Sequence, residues 1–267
     1  MYISENFLMI RYNISVVGAG NVASSLCEEM FCRGHRVIRI VSETRKRGIP
    51  LAGLCNASWS DELVFSEESD IVIVAVPDNR LKGVLDNISC GKNSVVAHTA
   101  GSFGLDIFPS GMSHSGVFYP LQTFTKGRKT DFSCLNILIE TSDNYSSSIL
   151  EKLATSLGSK IRYADTEHRK MLHLAAVFIC NFTNHMLTAG KEISTGAGFT
   201  FEILEPLIRE TYYKAIEQGP EFSQTGPAVR YDINTIEKHL ELLSFKPELQ
   251  KMYKVITESI MNHYKQS

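Results

Sequence analysis

The segment from Asn13 to Leu26 constrains the fold more than any other part of the chain. It reads NISVVGAGNVASSL, so an apolar run enters a glycine turn and a stretch with helix-forming spacing follows. The tight turn needs a residue without Cβ at Gly18, and only bare backbone at Gly20 lets a phosphate approach closely. Ala23 is small enough for the helix to pack on its strand. The segment therefore predicts strand, turn and helix, with the first helical N–H groups directed at a phosphate.

The surroundings of this turn favour a dinucleotide-binding unit over its alternative, a glycine turn without a ligand. A second apolar strand is predicted over His35 to Val41, which completes the strand–helix–strand arrangement that the fingerprint requires. The residues predicted to contact the pyrophosphate are Gly18, Ala19, Gly20, Asn21, Val22 and Ala23.

The residues after the second strand indicate which nicotinamide cofactor is preferred. An acid there binds the ribose 2′-hydroxyl of NAD, whereas small polar and basic residues accommodate the 2′-phosphate of NADP. Ser42 and Arg45, with Arg47 as a further candidate, lie in what we predict to be a basic loop, and they favour NADP. Glu43 keeps NAD as the less favoured alternative, and the basic residues also fit an ordinary solvated loop.

Two further apolar runs predict central strands of a parallel sheet. They span Asp70 to Val76 and Ser94 to Ala97. Ligands of such sheets bind beyond the carboxyl ends of the strands. The residues expected at the cofactor for this reason are Val76, Pro77 and Thr99.

His98 follows the second of these runs and is a candidate for proton transfer. Histidine titrates near neutrality and can protonate a carbonyl or imine that is being reduced. The alternative is a structural histidine that hydrogen-bonds a loop carbonyl.

The chain changes character after residue 164, which predicts two domains. Residues 1–164 alternate strands and helices and predict a doubly wound parallel α/β sheet, whereas residues 165–267 read as helix. Asp165 is predicted to cap the first helix of the second domain. This helix, expected from Thr166 to about Glu192, is apolar on all sides and should be buried in a bundle or a subunit interface.

Polar residues interrupt this apolar helix. At about 100° per residue, His173 and Asn184 lie within roughly 20° of each other and Asn181 about 80° from His173, so they share one broad side. Buried polar groups need partners, so the row indicates a polar cavity. His173 and Asn181 are therefore candidates for orienting or protonating a substrate. Hydrogen bonds between helices in a bundle core are the alternative.

Later segments give weaker signals. In the Gly- and Pro-containing loop from Thr225 to Asp232, Arg230 and Asp232 either form an internal ion pair or contact a ligand. Asn234 and Glu237 have the spacing of a capping box, which predicts that a helix starts there.

The composition indicates which classes of binding partner are favoured. The chain has 267 residues, of which 43% are hydrophobic, so it can bury a core. A net charge of −2 without long like-charge blocks favours small-molecule partners over nucleic acid or a membrane. Six scattered cysteines predict mostly buried thiols in a reducing compartment. With no apolar signal segment or membrane-length run, we expect a cytoplasmic protein.

The histidines do not predict a metal site. His168 and His173 are five residues apart, which fits poorly to the four-residue spacing of two ligands on one helix face.

Segments across nearly the whole chain resemble the Rossmann-like proteins with a C-terminal domain of unknown function 2520. The segments are VVGAGNVASSL, DIVIVAVPD, HTAGS, GVFYPLQTF, HLAAVFICNF and TGPAVRYDINTIEKHLELL. That family is similar to reductases with a helical dimerising domain, including pyrroline-5-carboxylate reductase, the deazaflavin-dependent NADP reductases and the 6-phosphogluconate dehydrogenase superfamily. The resemblance implies an NADP-binding fold, a cleft between domains and a homodimer built through the helical half.

One feature of that group is missing from this chain. Several of its reductases use a lysine and an asparagine one turn apart on the first long helix of the second domain. Here the corresponding stretch has His173 and Asn181 with no lysine between them. A lysine proton donor is therefore not implied.

Two functions remain compatible with the sequence. The first is an NADP-dependent oxidoreductase that transfers a hydride between NADP(H) and a small carbonyl or imine substrate. The alternative is a regulatory or sensor module that binds NADP without catalytic turnover.

Overall fold

An eight-stranded sheet forms the centre of the first of two units in this computed structural model, which describes residues 10–265. The strands are β1 Asn13–Val17, β2 Arg36–Val41, β3 Ser58–Ser60, β4 Ile71–Val74, β5 Val95–His98, β6 Ser115–Pro120, β7 Asn136–Thr141 and β8 Lys160–Tyr163. Their order is β3-β2-β1-β4-β5-β6-β7-β8. The first six strands follow the order of a classical dinucleotide-binding fold, so the predicted doubly wound sheet is confirmed.

One strand pair departs from the parallel arrangement. β6 and β7 are antiparallel, with Phe118 opposite Ile139, whereas the other neighbouring strands are parallel. A parallel return needs a crossover, usually a helix. Between β6 and β7 the chain forms only a short 3₁₀ turn at Phe132–Cys134, so the direction reverses. The sequence analysis did not identify β3 or β6 as strands.

Five helices belong to the sheet unit: α1 Asn21–Cys32, α2 Arg45–Leu54, α3 Asp78–Leu85, α4 Asn144–Ser156 and α5 Thr166–Ala176. The helix α2 corrects the basic loop predicted after β2, because Arg45 is its first residue. Gly48 and Pro50 lie inside α2. Both residue types disfavour helix interiors, which hid this helix from sequence reasoning.

The central strands are buried on both faces. On one face, Ile14 and Val16 of β1 pack with Leu26 of α1 in a cluster of fully buried side chains. On the other face, Val72 and Val74 of β4 pack with α3 in a second cluster. This two-sided burial explains the continuous apolar runs in the sequence and fixes the carboxyl ends of the strands along one edge.

The sheet unit ends at Cys180, and a helical unit begins at Asn181. The second unit contains α6 Thr183–Gly196, α7 Glu205–Gln218, α8 Pro220–Ser223, α9 Ile233–Leu242 and α10 Pro247–Tyr264, which confirms the predicted all-α region. The sheet unit keeps α5, and the domain boundary predicted after residue 164 stays a prediction. Within residues 10–265, no helix combines the length and apolar composition needed to cross a membrane.

The start of α9 differs from the predicted capping box. Asp232 is the cap, and its carboxylate accepts hydrogen bonds from the backbone N–H of Thr235 (3.1 Å) and from its hydroxyl (2.7 Å). The helix thus begins two residues earlier than predicted from Asn234. These hydrogen bonds lower the pKa of Asp232, and the nearby charge of Arg230 adds to the effect. A contact between Arg230 and a ligand stays one of the two predicted alternatives for this loop.

The long helix predicted from Thr166 to Glu192 is interrupted. Residues Val177–Phe182 form a π turn between α5 and α6. A π turn uses more residues per turn than an α-helix, so the assumed 100° per residue does not hold there. The shared side predicted for His173, Asn181 and Asn184 therefore loses its geometric basis.

The apolar side chains of this region are not enclosed within the single chain. Met171 is 65% exposed, Leu174 48% and Ile179 69%. Burial inside a bundle is therefore wrong for these residues. The other alternative, a subunit interface, stays a prediction.

The cysteines are less buried than expected. Cys27 and Cys55 are buried, while the other four are half-buried or exposed, and all six are free thiols. The prediction that most of them are buried is therefore wrong, because only α1 and the end of α2 place a thiol in the core.

Candidate functional site

Gly18 is required by the backbone of the turn. Its φ is +117°, a conformation that residues with a side chain rarely adopt. An added Cβ would overlap the carbonyl oxygen of Ala75 and lie 2.9 Å from its carbonyl carbon. The N–H of Gly18 donates to the carbonyl of Val41 at 2.8 Å, which ties the end of β1 to the end of β2. The predicted need for glycine at this position thus has a cause inside the protein.

Gly20 is different, because no contact within the described residues requires a glycine there. Its φ of −86° suits any residue, and an added Cβ would meet no atom of residues 10–265 within 4 Å. Within residues 10–265 no side chain caps α1, and its first backbone bond runs from Ser24 to the carbonyl of Gly20 at 2.9 Å. The N–H groups of the first turn are therefore left without a side-chain acceptor among these residues. A phosphate could approach this point as the motif predicts.

The remaining residues of the turn anchor it. Ala23 is fully buried, and Ala19 and Val22 are partly buried against the same core cluster. Asn21 is exposed, and its side-chain amide donates to the carbonyl of Phe124 at 3.0 Å. This bond links the start of α1 to the segment that follows β6.

Ser42 and Arg45 lie at the carboxyl end of β2, as predicted, but both have partners within the protein. The buried hydroxyl of Ser42 donates to the carbonyl of Thr44 at 3.2 Å and accepts from the indole N–H of Trp59 at 3.1 Å. The guanidinium of Arg45 lies over the Trp59 ring, 4.9 Å from its centroid. Trp59 was not identified from the sequence, because β3 is short and distant along the chain.

Glu43, the residue that kept NAD as an alternative, forms an exposed ion pair with Arg80 of α3. Val76 and Pro77 follow β4, and Pro77 precedes the first residue of α3. Thr99 follows β5, and its N–H donates to the carbonyl of Val74 at 3.1 Å. All three predicted cofactor neighbours therefore lie at the carboxyl edge of the central strands.

His98 is fully buried at the end of β5, and both ring nitrogens are bound. Its Nδ1 accepts from the N–H of Ala100 at 3.2 Å, so Nε2 carries the proton and donates to the carbonyl of Gly104 at 3.3 Å. Burial lowers the pKa of His98 to about 4, and Phe108 stacks on the ring. This geometry fits the alternative of a histidine that hydrogen-bonds a loop carbonyl. A part in proton transfer stays a prediction.

His173 forms a close pair with Tyr119. The hydroxyl of Tyr119 lies 2.9 Å from Nδ1 of His173, and the ring centroids are 5.9 Å apart. A Cβ added to Gly101 would lie 2.9 Å from His173 Nδ1 and 3.0 Å from Tyr119 Cζ, so the loop after β5 passes directly against the pair. Burial is the main cause that raises the pKa of Tyr119. The pair is half-buried and polar.

Sequence reasoning did not select Tyr119 as a site residue. In the register of β5 and β6, His98 pairs with Val117, so Tyr119 extends to the carboxyl edge of β5. The signal available in the sequence was a tyrosine at the end of an apolar run, GVFYP. Without an assigned strand there, its position at the edge could not be derived.

A buried ion pair places α5 and thus His173. Arg169 is fully buried and donates through Nη1 to the Glu140 carboxylate at 2.6 Å and through Nη2 to the carbonyl of Phe103. Thr166 also donates to Glu140 at 3.0 Å. Arg169 Nε has no partner within the described residues. Asp165 caps α5 by accepting from the N–H of His168 at 2.9 Å, which confirms the predicted cap.

The remaining predicted residue, Asn181, is exposed within the π turn and begins the helical unit. The structure thus brings His173 together with Tyr119 and Gly101. Both nitrogens of His98 are directed to other groups. Among residues 10–265, no three His, Cys, Asp or Glu side chains are grouped as metal ligands.

Comparison with known proteins identifies the family. Residues 13–101 match the family described as NADP oxidoreductase coenzyme F420-dependent, and residues 135–260 match the domain of unknown function DUF2520. A Bacteroides fragilis protein described as a candidate NADP oxidoreductase is 35% identical, with a TM-score of 0.86, over 94% of this chain and 98% of that one. The chain belongs to the DUF2520 family of NADP oxidoreductase-like proteins. The resemblance predicted from the sequence motifs is therefore confirmed.

More distant structures share the fold of this DUF2520 family member. An imine reductase from Myxococcus stipitatus in complex with NADP+ has a TM-score of 0.61 at 15% identity, over 95% of this chain and 93% of that one. A pyrroline-5-carboxylate reductase from Coxiella burnetii has a TM-score of 0.55 at 15% identity, over 96% and 98%. No curated protein matches the chain. The chain thus shares its fold with NADP oxidoreductase-like proteins and with these two reductases.

Proposed function

We propose that the protein is an NADP-dependent oxidoreductase that transfers a hydride between NADP(H) and a small carbonyl or imine. The observation that supports it most is the open space in front of Gly20, where no atom of the part of the chain that the structure describes explains the glycine. The uncapped first turn of α1 offers N–H groups to a pyrophosphate at this point. Relatives of the same fold include an imine reductase in complex with NADP+.

The carboxyl edge of the sheet would hold the rest of the cofactor. Val76 and Pro77 would border it after β4, and Thr99 would do so after β5. When bound, the nicotinamide cofactor supplies or accepts the hydride. The chain itself must then orient the substrate and provide a proton.

His173 is the proposed proton donor, and Tyr119 is its positioning residue. The raised pKa of Tyr119 keeps its hydroxyl protonated, so it can donate to Nδ1 of His173 across 2.9 Å. The proton of the neutral imidazole then lies on Nε2, the nitrogen on the far side of the ring. From there it would pass to the oxygen or nitrogen of the substrate as the hydride arrives at carbon, while the hydroxyl proton of Tyr119 moves to Nδ1 and keeps the ring neutral. Solvent would then return a proton to the oxygen of Tyr119. Asn181 remains a candidate for orienting the substrate.

Binding and turnover of the variants test this assignment. Fluorescence titration should show that the wild type binds NADPH more tightly than NADH. With an identified substrate, His173→Ala should lower kcat by about 10²- to 10⁴-fold and leave the Kd for NADPH unchanged. Tyr119→Phe should lower kcat less and shift its pH profile, since Nδ1 loses its hydrogen-bond donor.

The chain offers a matched control in a second tyrosine–histidine contact. Tyr145 packs on His114 with centroids 4.6 Å apart, next to the opposite end of β6. Tyr145→Phe should leave both constants unchanged. Wild-type turnover by both His173→Ala and Tyr119→Phe would contradict the proposed roles. Tight NADPH binding without turnover of any carbonyl or imine in a broad panel would instead support a regulatory NADP-binding module.

We further propose that the protein forms a homodimer through its helical unit. Three large apolar side chains of that unit are mainly exposed, namely Ile216 (80%), Phe222 (80%) and Leu242 (73%). Single soluble domains rarely leave extensive apolar surface uncovered. Light scattering should give twice the chain mass of 29.8 kDa. Ile216→Glu should give the monomer mass, whereas Leu54→Glu in the sheet unit should not; a wild-type monomer would contradict the proposal.

A further inference from the structure

A basic segment after β6 lines the same cavity as the glycine turn. The segment Thr125–Lys129, which reads TKGRK, is called the strap here. The cavity has a volume of about 600 Å³ and lies between the strap, α1 and the beginning of α2. Gly20 and Asn21 form one part of its wall. The strap thus borders the point at which a pyrophosphate would bind.

The cavity is strongly cationic although the chain as a whole is slightly acidic. Its charged lining residues are Lys46, Arg47, Lys126, Arg128 and Lys129, with Glu28 as the single acid. Five positive charges and one negative charge give a local balance of +4, against −2 for the whole chain. Within residues 10–265, none of the five cations forms an ion pair within 4.0 Å. Such a grouping favours a polyanionic ligand.

The residue just before the strap is bonded to α1. The carbonyl of Phe124 accepts from the side chain of Asn21, the first residue of α1, at 3.0 Å. Within the strap, the N–H of Arg128 donates to the carbonyl of Thr125 at 3.1 Å and closes a turn. The three strap cations are therefore presented beside α1 on a short turn with an anchored base.

Ser42 and Arg45, two of the three residues expected to favour a 2′-phosphate, are engaged elsewhere, whereas the third, Arg47, lines the cavity. The hydroxyl of Ser42 is bound to Thr44 and Trp59, and the guanidinium of Arg45 stacks on Trp59. Lys46 and Arg47, the next two residues of α2, line the cavity instead. Because they follow the carboxyl end of β2, they lie where the adenosine ribose of a dinucleotide is recognised.

We propose that the strap clamps the adenosine 2′-phosphate of NADP from the side opposite Lys46 and Arg47. This inference rests on the proposed function, because it assumes that a dinucleotide binds at the glycine turn. The pyrophosphate is served by the N–H groups at the start of α1, so the strap cations are available for the additional phosphate. The strap, more than Ser42, would then set the preference for NADP over NAD.

Two fragments that differ only in the 2′-phosphate test the proposal. Calorimetry would compare adenosine 2′,5′-bisphosphate with adenosine 5′-monophosphate as ligands of the full chain. The variant combines Lys126→Ala, Arg128→Ala and Lys129→Ala, all at exposed positions. It should lose at least about tenfold in affinity for the bisphosphate, the effect of one lost charged hydrogen bond. Its affinity for the monophosphate should stay unchanged.

The matched control removes the same charges elsewhere on the sheet unit. Lys152→Ala, Lys160→Ala and Arg162→Ala together also replace two lysines and one arginine at exposed positions. This control should keep the wild-type preference for the bisphosphate. The preference of the wild type should also weaken as salt rises, and that of the strap variant should change less.

The outcomes separate this inference from the proposed function. An equal loss of affinity for both fragments would place the strap at the phosphate that they share, and this would overturn the inference. An unchanged preference for the bisphosphate in the strap variant would also overturn it. In both cases NADPH would still bind, and the proposed function would stand. Failure of the wild type to bind either fragment or NADPH would overturn both.

Discussion

The buried ring of His98 makes the stability of the sheet unit depend on pH. Its pKa is about 4 against an ordinary 6.5, mainly because burial removes water from the charged form, and the charge of Arg169 adds to this. The bond to the Gly104 carbonyl and the charge of Asp106 act in the opposite direction but are outweighed. Between these two pKa values the unfolded chain binds a proton that the folded chain does not. The free energy of unfolding must therefore fall as pH drops through this range.

The size of the effect follows from the shift in pKa. A difference of about 2.5 units at about 1.4 kcal/mol per unit gives roughly 3 kcal/mol. The free energy of unfolding that depends on the neutral, buried ring is fully present above about pH 6.5 and is lost progressively down to about pH 4. Because native proteins are stable by only about 5–15 kcal/mol, a change of this size is measurable in a urea titration.

The chain contains a probe for this measurement. Trp59, the single tryptophan, lies in β3 and reports on the sheet unit. Urea unfolding followed by its fluorescence, at a series of pH values from about 7 to 4, gives the pH dependence. His98→Gln cannot take up the proton, so its loss of stability over this range should be smaller by about 3 kcal/mol. His263→Gln, in the helical unit, should behave as wild type.

Two results would refute this description of His98. One is the same pH dependence for His98→Gln and wild type, since the ring would then not be a buried neutral base. The other is a ring that titrates near 6.5 in the folded protein by NMR. Either result would favour the other alternative for His98, a part in proton transfer.

Further predictions concern the glycine turn and the buried ion pair. Gly18→Ala should lower the free energy of unfolding by about 2 kcal/mol or more, from positive φ and overlap with Ala75. Gly20→Ala should leave the urea midpoint unchanged but weaken NADPH binding at least about tenfold, because its methyl group would occupy the open space. Equal losses of stability in Gly18→Ala and Gly20→Ala would refute the distinction between the two glycines. Arg169→Met should lower the free energy of unfolding by about 3–5 kcal/mol, because it leaves Glu140 without its ion-pair partner. In a double-mutant cycle, adding Glu140→Leu should restore part of this free energy.

The parts of the fold that were predictable have local signals. The strand, turn and helix from β1 to α1 could be derived because the apolar run, the glycines and the helical spacing are contiguous. The helix α2 could not, because Gly48 and Pro50 oppose helix formation while burial of Leu51 and Ala52 in the core stabilises it. β7 is antiparallel because a short 3₁₀ turn precedes it where a parallel strand would need a crossover helix. The sequence of this turn did not indicate the change of direction.

The site shows the same division. The glycine turn follows from neighbouring residues, whereas Tyr119 and His173 are 54 positions apart and meet only through the order of the strands and the placement of α5. For His98 two alternatives were compatible with the sequence, and burial of the ring favours the structural one. Asn181 was placed by helical periodicity, which the π turn interrupts.

The predicted or candidate ligand-binding residues fall into two groups, those whose type is explained by a contact within the protein and those that lie around one cavity. Gly18 is accounted for by its backbone, Ser42 by Trp59, and Arg45 by stacking on the same ring. Among residues 10–265, no contact accounts for the missing side chain at Gly20, and no ion pair accounts for the cations of the strap. Yet Gly20 and these cations line the same cavity at the start of α1. An anionic ligand explains both at once, because bare backbone admits a phosphate and the cations neutralise it.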